Sequence, residues 1–175
     1  MGYGDTMRIS KKLSLVGILT ALAVVLAVLE QYIPIQLILP LPGIKLGIAN
    51  TVTLTALKKI NFKCAFAILM VRCSLVALLF GTPISLAMSL SGGLLSLCAM
   101  WLLLRRQTWF SIYGVSIAGA AMHNVGQVAC ACVVLKSIYV FGYLPILLFS
   151  AFVTGVLIGI LVSGCLRILD KFNFI

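Results

Sequence analysis

Glu30, Lys45, Arg72 and His123 are ionisable side chains standing inside long apolar runs. Amides and hydroxyls accompany them. Asn50 and Thr51 follow Lys45 by about one helical turn, Asn124 and Gln127 follow His123, and His123 and Gln127 share a helix face at i,i+4 spacing. A guanidinium does not give up its proton, so Arg72 must be paired or solvated wherever it is buried. Glu30 is the only acidic side chain inside the apolar runs, because the other two acids, Asp5 and Asp170, stand near the termini. Lys45 and Arg72 against Glu30 leave one surplus positive charge, which a bound carboxylate or phosphate would neutralise.

The stretch PLPGIKLGIANTVTLT at 40–55 adds a second reason to expect an anion. Pro34, Pro40 and Pro42 stop one helix, Gly43 frees the backbone, and a new helix begins with unpaired N–H groups beside Lys45. A short segment broken by Pro and Gly also points to a transport site, since irregular backbone is tolerated at membrane depth only when buried in protein or lining a cavity. The simpler reading is structural: Lys45 snorkels to the interface and Glu30 pairs with it or with Arg72. His123 has two readings as well, proton sensing and a hydrogen-bonded structural role. The substrate-binding candidates are therefore Glu30, Lys45, Asn50, Thr51, Arg72, His123, Asn124 and Gln127.

Other chemistry finds little support. The six cysteines lie within apolar runs without paired CxxC spacing or nearby histidines, so we expect neither a metal site nor a cofactor. Prenyl transfer would need clustered aspartates to hold magnesium against a diphosphate, and three scattered acids form no such cluster. Without a Walker motif the chain cannot hydrolyse ATP. No base or metal partner stands at suitable spacing from His123, so we expect no enzyme and no catalytic residues.

These side chains sit in a chain of 175 residues, 63% apolar and 9% charged, with a mean hydropathy of +1.24. That composition is an integral membrane protein. A span takes about 20 apolar residues, so we expect an all-α, compact bundle of about six transmembrane helices. The expected spans are 13–33, 44–57 (unusually short), 63–81, 84–104, 111–135 and 144–168. Residues 1–12 form an N-terminal cytoplasmic segment, 13–168 a single transmembrane domain and 169–175 a cytoplasmic tail. MGYGDT matches a loose myristoylation pattern, but an acyl anchor adds nothing to a chain that spans repeatedly. ALA at 21–23 resembles a signal cleavage site, but the apolar run continues to Leu29, so the first span is expected to be uncleaved.

The net charge of +10 records orientation. If six segments cross, Arg8, Lys11, Lys12, Lys58, Lys59, Lys63, Arg105, Arg106, Arg167 and Lys171 share one side, leaving Lys45 and Lys136 opposite. This bias places both termini in the cytoplasm and removes the case for nucleic acid as a partner. Tyr32, Trp101, Trp109, Tyr139 and Tyr143 fit interfacial belts.

Helices in lipid pack closely through small residues repeated at one-turn spacing. Ala151, Gly155, Gly159 and Ser163 form one such stripe, Ser85, Ser89, Gly92 and Ser96 a second, and Ala23 with Ala27 a third. Packing within the bundle is the first reading for each.

PGIKLGIAN at 42–50, SLSGGLLS at 89–96, GVSIAGAAMHNVGQ at 114–127 and YLP at 143–145 resemble the Gx transporter family, often labelled heptaprenyl diphosphate synthase component I. The resemblance covers about residues 8–170. Such proteins resemble the substrate-binding S components of energy-coupling factor transporters, which implies six helices, an outward-facing pocket capped by the first loop, and a separate ATPase pair with a transmembrane coupling subunit. In that class an AxxxA pattern on the first helix meets the coupling subunit, which would make Ala23 and Ala27 a partner interface. The resemblance also implies an alternative, a non-transporting scaffold in a quinone or flavin-based electron-transfer pathway.

Overall fold

The computed structural model describes residues 3–32, 45–106 and 110–171. Their backbone forms helices α1 (Tyr3–Gln31), α2 (Asn50–Lys59), α3 (Phe62–Phe80), α4 (Pro83–Arg105), α5 (Ile112–Leu135) and α6 (Leu144–Lys171), with a short 3-10 helix over Ile138–Tyr143. The expected all-α class is what is observed. Ser10–Gln31, Phe62–Phe80, Pro83–Arg105, Ile112–Leu135 and Ile138–Lys171 are long and apolar enough to cross a membrane.

Local chemistry sets the helix starts. The Asn61 side chain accepts from the Cys64 N–H at 2.8 Å to open α3, Thr82 accepts from Ser85 at 3.2 Å ahead of Pro83, and Ser111 accepts from Gly114 at 3.2 Å to open α5. Each satisfies a donor that the first helical turn leaves free.

The second expected helix, 44–57, is shorter and starts later in the structure. Residues 45–49 are not helical, and α2 has ten residues, about 15 Å of helix against roughly 30 Å of hydrocarbon. Every residue of α2 from Asn50 through Leu57 is buried. This burial on all sides explains how a helix carrying Thr51, Thr53 and Thr55 is tolerated: protein surrounds it, and the Thr55 hydroxyl donates to the Thr51 carbonyl at 2.8 Å. α2 packs against all five long helices, whereas α1 packs only on α2 and α3 among the described residues. Pro34, Pro40, Pro42 and Gly43 lie outside the described residues.

Small residues bring the long helices together. A Cβ at Gly126 of α5 would stand 2.7 Å from Gly92 Cα of α4, and one at Gly155 of α6 would stand 2.5 Å from Ile117 Cα of α5. Gly159 meets the Tyr113 ring in the same way, and Ala151 and Ser96 are buried. Ser163 is half-buried and donates to its own helix at Gly159. Ser85 is half-buried near the start of α4.

One end of the bundle gathers basic residues. Lys59 forms an ion pair with Asp170 near the end of α6, the Phe62 and Trp101 rings lie 5.2 Å apart, and the Arg105 guanidinium sits 4.1 Å over Trp101. The end of α2, the start of α3 and the ends of α4 and α6 are thus at one level.

Candidate functional site

At the other end of α2, Gly47 shapes the broken segment. Its φ of +82° lies in the left-handed region that side chains disfavour, and an added Cβ would come within 3.0 Å of both Asn50 Nδ2 and His123 Cδ2. The Gly47 N–H donates to Glu30 Oε1 at 2.5 Å, tying the end of α1 to the segment. The N–H groups of Asn50, Thr51 and Val52 close onto the carbonyls of Gly47, Ile48 and Ala49 at 2.9, 3.0 and 3.3 Å. The Asn50, Thr51 and Val52 donors, expected to be free for an anion at this helix start, are therefore taken by tight turns. The chain's own Glu30 carboxylate supplies negative charge beside them.

Gln127 holds the preceding residue. With its amide oxygen turned toward His123, Gln127 accepts from His123 Nε2 at 3.3 Å and from the Lys45 N–H at 3.1 Å. Its amide nitrogen then donates to the Lys45 carbonyl at 3.1 Å. One side chain on α5 so satisfies both backbone groups of a non-helical residue, in surroundings where an unpaired group is costly.

Glu30, Lys45, Arg72 and His123 line one cavity, with Ser85 and Ser89 on α4 and apolar atoms of Ala27, Val76 and Leu86 completing the wall. The deep residues, Arg72 and Ser89, are buried, whereas Ala77, Ser85 and Leu86 are half-buried, so the cavity becomes more exposed toward the α3–α4 turn. About 20 Å³ is open to the centre of a water molecule, room for about one ordered water. Arg72 is 4% exposed, and its only direct hydrogen-bond partner among the described residues is Cys73 Sγ at 3.9 Å. Among the described residues no carboxylate lies within 4.0 Å of Arg72 or Lys45. His123 Nδ1 and Ser89 Oγ are buried without partners. Two cations, a carboxylate and two unsatisfied polar atoms around a small hollow can hold a small anion or an ordered water.

The other expected site residues are placed elsewhere. Asn50 donates to Ser96 Oγ at 3.4 Å, Asn124 donates to the Leu147 carbonyl at 2.7 Å, and Thr51 is buried within α2; none of the three lines the cavity. Ala23 and Ala27 are 0% and 7% exposed, so the expected partner face is turned inward. Their small size lets α1 pack closely: Ala27 meets Ala49 and Val76, while α1 exposes Leu13, Ile18, Val25 and Leu29 instead. Sequence reasoning missed Gly47, Cys73, Val76 and Leu86 as site residues. Only Gly47 carried a signal, as a glycine two residues beyond a lysine in an apolar run.

The family model described as heptaprenyl diphosphate synthase component I matches residues 19–165. Neither the curated proteins nor the solved structures yield a match.

Proposed function

The chain belongs to the heptaprenyl diphosphate synthase component I family, and we propose that it serves as a membrane subunit that binds and admits a small anionic molecule rather than as a prenyl-transferring enzyme. One observation carries this reading: Arg72, halfway along α3 and 4% exposed, lines a cavity with Lys45 and has no carboxylate within 4.0 Å among the described residues. A buried guanidinium without a carboxylate in contact is costly, and an anion in the hollow would relieve that cost. The non-helical backbone at 45–49, buried at Gly47 and Ala49 and half-buried elsewhere, is the kind of segment that forms transport sites in membrane proteins.

The resemblance to energy-coupling factor S components extends the proposal. The chain would be a multi-pass protein of the cell membrane with both termini cytoplasmic, working with a separate coupling subunit and ATPase pair. The synthase label finds no support in three scattered acidic residues. Mass spectrometry of the ligand that copurifies with the protein tests the reading. Loss of that ligand in Arg72→Ala and Lys45→Ala is the expected result, and ligands indifferent to both substitutions would remove the proposal.

The small volume of the hollow favours a second reading, a non-transporting scaffold whose polar groups only hold the bundle. Pull-downs separate the two. Recovery of an ATPase pair with its coupling subunit supports transport, and recovery of prenyl or redox enzymes alone supports the scaffold.

A further inference from the structure

Resting on the small-anion reading above, we infer that Glu30 sets the valence of the ligand: the site takes a monovalent anion because Glu30 leaves Lys45 and Arg72 one positive charge in excess. The count rests on the whole chain. The ionisable groups lining the hollow are Glu30, Lys45, Arg72, Cys73 and His123. Residues 33–44, which join α1 to the site, carry no ionisable side chain, and the remaining acids are Asp5 near the N-terminus and Asp170, engaged by Lys59 at the opposite end of α2. Counting Glu30, Lys45 and Arg72, the sum is one positive charge. Moving a proton from Lys45 to Glu30 leaves that sum unchanged, so the conclusion holds whichever of the two groups carries it.

Geometry fixes Glu30 in this role. Its Oε1 accepts from Gly47, two residues from Lys45, and the side chain is 3% exposed, so solvent screens its charge poorly. A monovalent anion brings the enclosed charge to zero. A divalent one leaves a net negative charge in a place with little water to stabilise it.

Perchlorate and sulfate provide the test, because both are tetrahedral ions with four oxygens and differ in charge. Calorimetric titration of the purified full chain at constant ionic strength should show tighter binding of perchlorate. Glu30→Gln keeps an oxygen that can accept from Gly47 and removes the charge, so the affinity ratio should move toward sulfate by about tenfold or more. Binding of both ions with the ratio unchanged in Glu30→Gln would overturn the valence assignment and leave the small-anion reading standing. Failure of both ions to bind the wild-type chain would overturn both, and binding of sulfate in preference to perchlorate would overturn the valence assignment alone. If Glu30→Gln does not fold, Lys45→Gln approaches from the other side by lowering the positive sum. Its perchlorate affinity should fall about tenfold or more, and unchanged affinity would overturn the inference.

Discussion

The Gly47 N–H donates to the carboxylate of Glu30, 17 residues earlier in the chain, and this bond ties the end of α1 to the break that precedes α2. It fills with an internal carboxylate the donor that a helix start would otherwise offer to an external anion. The cationic side chains beside it, Lys45 and Arg72, stay without a carboxylate within 4.0 Å among the described residues.

Gly47→Ala should destabilise the fold. The left-handed backbone costs an L-residue roughly 1–2 kcal/mol, and the new Cβ would also press on Asn50 and His123 at 3.0 Å. Thermal unfolding in detergent should show a lower midpoint; an unchanged midpoint would mean that the segment relaxes freely.

Gln127→Leu removes the partner of both Lys45 backbone groups and of His123 Nε2. Each buried polar group left unpaired costs about 1–3 kcal/mol. Hydrogen exchange should quicken at Lys45 and Gly47, with protection in the first turns of α3 retained. Uniform loss of protection across the bundle would count against a local bracing role.

Gly126→Ala and Gly164→Ala form a matched pair. The first drives a methyl to within 2.7 Å of the α4 backbone, and the second meets nothing within 4 Å. Overpacking of this sort costs about 1–3 kcal/mol, so Gly126→Ala should unfold at lower denaturant while Gly164→Ala matches wild type. Equal behaviour would contradict the close α4–α5 crossing.

The Lys59–Asp170 pair joins α2 to α6 but is 28% and 64% exposed. Surface pairs of this kind contribute about 0–1 kcal/mol. Lys59→Met should therefore shift the unfolding midpoint little, and less in high salt; a large loss would show that the pair anchors α2.

Much of this arrangement was legible in the residues. Pro83 after Thr82, and the turn residues between apolar runs, located α3, α4, α5 and α6 within a few positions of their observed bounds, whereas α1 begins at Tyr3, ten residues before its expected start. The stepping of Ala151, Gly155 and Gly159 pointed to close packing, which α6 makes against α5. Glu30, Lys45, Arg72 and His123 were legible as a group because ionisable side chains in apolar runs are rare. The bounds of the second helix were misjudged, since hydropathy does not separate the non-helical residues 45–49 from the helix that begins at Asn50. Asn124 and Ala27 show the remaining limit. Helical periodicity gives a face but does not say which neighbour covers it, so Asn124 went to the Leu147 carbonyl and Ala27 to the inside of α1.

Native mass spectrometry of the purified chain, with wild type and Arg72→Gln compared side by side, tests the electropositive hollow most directly. The account predicts a small anion retained by wild type and lost from a folded Arg72→Gln. An anion retained equally by both proteins, or a wild-type chain that holds none even when supplied with perchlorate, would contradict it.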